Sequence, residues 1–140
     1  KLSPNVQDIA AFALAAEEGG ADGIVAINTL KAMAITPELK IPSLANKYGG
    51  LSGPALRPIG VRAVYDICEK VHIPVIGVGG VGSGRDALEY IMAGASAVQI
   101  GTAIISRGLG VFNEITKEIA SLLEEAGFGS VQEAVGVAHA

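Results

Sequence analysis

A chain of 140 residues makes one domain and falls well short of the roughly 250 residues of a complete (β/α)₈ barrel. The formal charge of −4, with no basic cluster, argues against a nucleic-acid surface, and the single cysteine, Cys68, excludes an internal disulfide and a multi-cysteine metal site. Half the residues are hydrophobic but only 4% are aromatic, so the core is expected to be Ala, Val, Ile and Leu, the composition of parallel strands covered by helices.

Four strand-then-helix units follow in chain order. Lys1 and Leu2 read as the end of a first strand, with no signal-peptide pattern, so the chain reads as beginning in mid-element. Ser3 is placed to cap a helix with Pro4 at its first position, Ile9, Phe12, Ala13 and Ala16 recur at helical spacing, and Gly19-Gly20 stops the run. Asp22-Gly23 turns into a second strand, Ile24 to Ile27. The irregular stretch from Thr29 to Ser52 is too long for an idle connection and predicts a small hairpin with a function.

Ser52-Gly53-Pro54 starts a helix reaching about Val71. A third strand, Val75 to Val78, ends in Gly79-Gly80, and Ser83 with Asp86 three residues on begins a helix that Gly94 ends. The fourth strand, Ala97 to Ile100, ends at Gly101-Thr102. A long helix spans Val111 to Ala126, and Ser130 to Val135 adds a further turn. The apolar stretch from Tyr90 to Ser106 is interrupted by Gly94, Ser96, Gln99 and Gly101, so it is no membrane span. The alternation predicts a parallel α/β arrangement. A doubly wound open sheet and half of a (β/α)₈ barrel both satisfy it.

Two consecutive strand ends carry glycines, Gly79-Gly80 and then Gly101-Thr102. Glycine lets backbone N–H groups approach an anion, and helix N-termini add partial positive charge. In barrels the loops after strands seven and eight recurrently form a phosphate site. The plainer reading of each glycine is a tight turn. The run Gly77-Val78-Gly79-Gly80-Val81-Gly82 lacks the dinucleotide-binding spacing.

Ile73 to Val81, with Ala93 to Thr102, resembles the FMN-phosphate region of many flavin barrels. Lys1-Leu2-Ser3-Pro4-Asn5, Ile27-Asn28-Thr29-Leu30 and the stretch Ala45 to Ile59 narrow the likeness. Together these segments resemble the dihydroorotate dehydrogenases, in that family's order, closely up to about Thr102 and loosely beyond. Lys-Leu-Ser-Pro-Asn and Asn-Thr-Leu look most like the soluble class 1 form that works with an iron–sulfur and FAD-bearing subunit and passes electrons to NAD.

The resemblance implies residues 1–140 as a single incomplete domain, the C-terminal half of a TIM barrel with strands five to eight. It implies FMN-dependent oxidation of dihydroorotate to orotate in pyrimidine (UMP) biosynthesis. Lys1 matches a lysine beside the flavin pyrimidine ring, where an ammonium favours the anionic reduced cofactor. Ile27 matches a backbone flavin contact, and Gly53, Gly79, Gly80, Gly101 and Thr102 match the cofactor site. Asn28 and Thr29 match the pair that holds the pyrimidine; asparagine offers both a donor and an acceptor, and threonine a hydroxyl. The family removes the substrate C5 proton with a cysteine or serine in the N-terminal half of the barrel while a hydride leaves C6 for flavin N5. No residue here matches that base, so no catalytic residue is assigned. Another flavin- or phosphate-binding barrel, or a non-catalytic half-barrel, is the alternative.

Other polar residues read as structural. Cys68 falls mid-helix as a small core residue, His72 precedes a strand on the stability face, and His139 lies in a frayed terminus. Lys47, Arg57 and Arg85 read as solvated surface, and Glu17-Glu18 and Glu124-Glu125 as exposed helix faces. A reducing cytoplasm is the simplest compartment. Four parallel strands with two open edges predict a homo-oligomer.

Overall fold

The computed structural model describes residues 1–139. The sheet is parallel and runs in chain order. Its strands are β1 (Ile24–Ala26), β6 (Val75–Val78) and β7 (Ala97–Gln99), ordered β1-β6-β7. Ile24 pairs with Val75, and Ile76 with Ala97. Leu2 forms an isolated parallel bridge to Ala26 beyond the β1 edge, which is all the first expected strand amounts to here. Between β1 and β6 lie β2 (Leu30–Ala32), β3 (Ile35–Thr36), β4 (Ile41–Pro42) and β5 (Gly49–Leu51). β2 pairs antiparallel with β5, and β3 with β4. The expected single hairpin is therefore two paired layers, one enclosing the other in sequence.

The helices are α1 (Ile9–Glu18), α2 (Arg57–Cys68), α3 (Gly84–Met92), α4 (Ala103–Arg107), α5 (Val111–Glu125) and α6 (Val131–Ala134). α1 packs on α2, α2 on α3 and α3 on α5, in the same sequence as the strands they follow. On the sheet, Ile24, Ala26, Val75 and Gly77 are buried beneath these helices, whereas Val25, Ile76 and Val78 on the opposite face are half-buried and Ala97 and Gln99 exposed. A doubly wound sheet covers both faces with helices; here the covered face is one.

Several local expectations give way to tertiary contacts. α1 begins after Asp8, whose Oδ1 accepts the Ala11 N–H at 3.0 Å, not after Ser3. Ser3 is instead used by Asn5, whose Nδ2 donates to the Ser3 hydroxyl at 2.8 Å. The Asn5 side chain also bonds the Thr29 carbonyl and the Lys31 N–H, which holds residues 1–5 against the β1–β2 connection. A helix starting at Pro4 would surrender those bonds. Phe12, assigned to the inner stripe, is 56% exposed, while Ile9, Ala10 and Ala13 are buried. Ahead of α2 the chain makes a 3-10 turn, Pro54–Leu56, and α2 itself ends at Cys68 rather than Val71. The short helix α4 lies between Thr102 and Val111, a stretch to which the sequence assigns no element.

The core is not wholly aliphatic. Tyr90, on α3, is fully buried, and its hydroxyl donates to the Gly79 carbonyl at 2.7 Å. A side chain at Gly60 on α2 or at Gly77 on β6 would collide with the Tyr90 phenol, so these two glycines are the slot for the ring. Burial holds the phenol well above its ordinary range, and the hydroxyl stays a donor. Cys68 does pack against the core, beside Gly94, and burial pushes its thiol up to about 11. His139 is not frayed. Its ring stacks on Tyr65 at 3.8 Å, and Nε2 lies 3.0 Å from the Ala93 carbonyl oxygen. Glu17 is likewise tied down, accepting the His72 and Ile73 N–H groups at 2.8 and 3.1 Å, which fixes the chain entering β6.

The Tyr90 slot makes a stability prediction. Gly60→Ala is expected to cost about 1–3 kcal/mol by overpacking. In the Gly60→Ala/Tyr90→Phe double variant, where the colliding oxygen is gone, part of that loss is recovered. Urea melts of both single variants and the double variant measure the coupling; strictly additive losses would place the Gly60 Cβ elsewhere.

Candidate functional site

The C-terminal ends of the parallel strands open on one cavity of about 290 Å³. Its wall is drawn from chain segments far apart in sequence: Lys1; Ile27 to Thr29 after β1; Ser52 to Pro54 with Leu56 before α2; Val78 to Gly82 after β6; and Gly101 to Ala103 with Ser106 and Arg107 after β7. All nine residues singled out in the sequence border it, namely Lys1, Ile27, Asn28, Thr29, Gly53, Gly79, Gly80, Gly101 and Thr102.

The glycines are close for a reason. Gly53, Gly79 and Gly80 take φ of 90°, 131° and 70°, which side-chain-bearing residues rarely adopt. A Cβ on Gly80 would lie 2.7 Å from the Gly53 carbonyl oxygen and 2.9 Å from the Arg57 nitrogen. The loop after β6 thus packs directly on the backbone that starts α2. Gly101 differs, since a Cβ there would meet nothing within 4 Å. The amides of Gly80, Val81, Thr102 and Ala103 find no acceptor among the described residues. Unpaired backbone donors on residues bordering a cavity are what an anion requires.

Three loops are joined around this cavity by polar contacts. The Thr102 hydroxyl donates to Ser52 Oγ at 3.0 Å, linking the loop after β7 to the approach to α2. Asp86, near the start of α3, accepts the Gly82 N–H through Oδ2 at 3.0 Å and pairs with Arg57 through Oδ1. The capping box expected at Ser83 is half present. Ser83 Oγ accepts the Asp86 N–H at 3.2 Å, but the Asp86 carboxylate turns to Gly82 and Arg57 instead of the Ser83 amide. Arg57 is therefore paired across α2 and α3, half-buried and not free on the surface. Its Nε lies 3.2 Å from Glu89 Oε2, within ion-pair reach but without hydrogen-bond alignment.

Arg107, which the sequence did not single out, borders the cavity and donates to the Gly82 carbonyl, to Glu114 at 2.6 Å and to Glu118 at 3.0 Å. The Glu118 carboxyl is held below its usual range by the Gly84 N–H first and by Arg107 second. The signal was present as an arginine seven and eleven residues before two glutamates, but without the turn at Gly108 nothing brings it back over α5. Asn28 Oδ1 accepts the Thr29 N–H at 2.7 Å, which orients the carboxamide with Nδ2 left to donate.

A singly wound parallel α/β sheet with a glycine-walled cavity at its C-terminal strand ends fits a TIM-barrel enzyme. Residues 1–123 match the family model for dihydroorotate dehydrogenase. The chain is 56% identical over 138 residues to the dihydroorotate dehydrogenase B (NAD(+)) catalytic subunit of Pyrococcus horikoshii, covering 99% of this chain and 46% of that protein. It is 52% identical over 139 residues to the protein of the same description from Methanocaldococcus jannaschii, covering 99% and 45%. A crystal structure of DHODH from Eimeria tenella in complex with ferulenol superimposes with a TM-score of 0.82 at 33% identity, over 98% of this chain and 37% of that one. The chain belongs to the dihydroorotate dehydrogenase family, and it spans a little under half the length of these curated relatives. No helix among the described residues is long and apolar enough to cross a membrane.

The contacts of Gly80 forecast what its replacement does. Gly80→Ala strains a positive φ and pushes Cβ onto two backbone atoms, so a loss of about 1–3 kcal/mol is expected, and Gly80→Val is no better tolerated. Gly101→Ala, with open space at Cβ, should melt within about 0.5 kcal/mol of the parent, as innocuous surface changes do. Thermal melts of Gly80→Ala and Gly101→Ala side by side check the contrast.

Proposed function

We propose that this chain is the C-terminal half of the barrel of an FMN-dependent dihydroorotate dehydrogenase, with β1, β6 and β7 as strands six, seven and eight and Leu2 ending strand five. On this reading it supplies the phosphate site of the flavin and one wall of the substrate pocket in the oxidation of dihydroorotate to orotate. The observation that carries the proposal is the convergence of residues from five separate segments on one cavity, each of which the family resemblance matches to a flavin or pyrimidine contact.

The residues present fit FMN. Gly53, Gly79 and Gly80 take positive φ that lets the loop after β6 pack directly on the start of α2 at the cavity wall, and the unpaired amides of Gly80, Val81, Thr102 and Ala103 suit a phosphate. Gly101 and Thr102 would complete the phosphate cradle, and Ile27 would meet the ring through its backbone. When bound, FMN supplies the hydride acceptor that the reaction needs. Lys1 contributes a positive charge at the cavity wall. Asn28, its Oδ1 already engaged by Thr29, offers Nδ2 to a carbonyl or carboxylate oxygen of the pyrimidine, and the Thr29 hydroxyl adds a second polar contact. The proton-abstracting cysteine or serine would come from the other half of the barrel. The relatives are named NAD(+) catalytic subunits, which supports a partner subunit and NAD as the final acceptor; the iron–sulfur and FAD groups of that subunit are what the family resemblance implies.

This chain alone is expected to bind FMN, seen as a yellow preparation with a flavin absorption band, and to show no dihydroorotate oxidation. A general base contributes about 10² to 10⁴-fold, and half the pocket is missing as well. A colourless protein after incubation with FMN would favour a non-catalytic scaffold, and turnover by the chain alone would mean that the base lies within it. In an enzyme with both barrel halves, Asn28→Ala should spare flavin content and cost roughly tenfold to a hundredfold in substrate affinity or rate, the value of an unpaired buried polar group. Unchanged steady-state kinetics for dihydroorotate would remove Asn28 from the pocket.

A further inference from the structure

We propose that Arg107 and Asp86 are positioning residues that grip Gly82 from both sides and thereby set the Gly79–Gly82 loop to receive a phosphomonoester. The proposal rests on the reading of the cavity as a flavin-phosphate site.

Gly82 is held through both of its backbone polar groups. Its N–H is bound by Asp86 Oδ2 at 3.0 Å, and its carbonyl accepts from Arg107 Nη1. Each gripping side chain is itself fixed. Asp86 pairs with Arg57 at the start of α2, and its side chain is only 13% exposed. Arg107 Nη2 donates to Glu114 and Glu118, and the other Glu118 oxygen accepts the Gly84 N–H. The two residues flanking the unpaired amides of Gly80 and Val81 are thus anchored as well: Gly79 by the Tyr90 hydroxyl, Gly82 by these two side chains.

A segment with glycine at 79, 80 and 82 loses more backbone entropy on ordering than one with side chains at those positions would. Left free, it would have to meet that cost when the ligand arrives. Pinned at both ends in the folded protein, its amides are oriented beforehand, and preorganisation of this kind converts into affinity. Arg107 borders the cavity and invites a simpler role as a direct phosphate ligand. Against that, two carboxylates already answer its charge, and three of its five N–H donors are spent on Glu114, Glu118 and the Gly82 carbonyl. It acts on the ligand through Gly82.

The test compares FMN with riboflavin, the same ring system without the phosphate, by fluorescence titration of the purified protein. Wild type should hold FMN the more tightly. Arg107→Ala and Arg107→Lys should both weaken FMN by roughly tenfold to a hundredfold, the worth of charge-assisted hydrogen bonds, and leave riboflavin affinity unchanged. Lysine keeps the charge but lacks the fork that reaches Gly82, Glu114 and Glu118 together. An Arg107→Lys protein with wild-type FMN affinity would show that charge alone matters and would overturn the positioning role. Parallel losses for FMN and riboflavin would do the same, since general structural damage is blind to the phosphate. Should the Arg107 variants fail to fold, Glu118→Gln, which keeps an oxygen for the Gly84 N–H while loosening Arg107, must still lose FMN selectively. A wild-type protein that binds riboflavin as well as FMN would overturn the phosphate reading and this proposal with it, whereas selective wild type with equally selective variants would overturn the positioning role alone.

Discussion

Much of the architecture depends on one phenol ring. Tyr90 reaches from α3 across the face of β6 toward α2, and it does so because Gly77 and Gly60 present no side chain in its path. Its hydroxyl ends on the Gly79 carbonyl. One fully buried side chain therefore sets the spacing of a strand and two helices and also anchors the first glycine of the cavity loop. Interiors are packed at crystal-like density, so a contact of this kind transmits position with little slack. A hydroxyl buried this deeply must also be paired, and the Gly79 carbonyl is the partner that removes the penalty.

From Gly79 onward the chain is governed by polar contacts instead of packing. The loop after β6 sits against the Gly53 carbonyl and the Arg57 nitrogen at distances only glycine permits. Asp86, Arg107 and Ser52 then tie the neighbouring loops to one another. Strand ends of this type serve binding because the rigid sheet fixes where each loop starts while the loops keep their freedom of composition. The outcome is a cavity whose wall comes from several crossovers and whose donors are mostly backbone. Such a wall suits a phosphate group, which asks for several N–H groups at once and little else.

The half-exposed sheet face carrying Val25, Ile76, Val78, Ala97 and Gln99 has a different meaning in the family context. In a closed barrel that face points inward and is filled by side chains from all strands. Relatives of more than twice this length supply further chain with which such a barrel could be completed. The helix-covered face needs no such help, because Ile24, Ala26 and Val75 are already buried beneath the helix layer.

The strands, the four main helices and the glycine pairs were legible in the sequence because they depend on local patterns: apolar runs, helical spacing and turn residues. The likeness of short motifs named the family and marked nine residues, and their convergence on one cavity was foreseeable once eight were assigned to strand ends and Gly53 to a helix start. What the sequence left open was decided by partners distant along the chain. Asn5 binds Thr29 and Lys31, which moves the start of α1 to Asp8. Arg57 pairs with Asp86, Glu17 caps the chain entering β6, and His139 finds Tyr65. Tyr90 was counted among scarce aromatics and became the centre of the core. None of these can be read from spacing, since a polar side chain at a helix surface has the same local pattern whether it meets water or another loop. Only the assembled structure, which brings residues 57, 82, 86 and 107 together, gives each its partner.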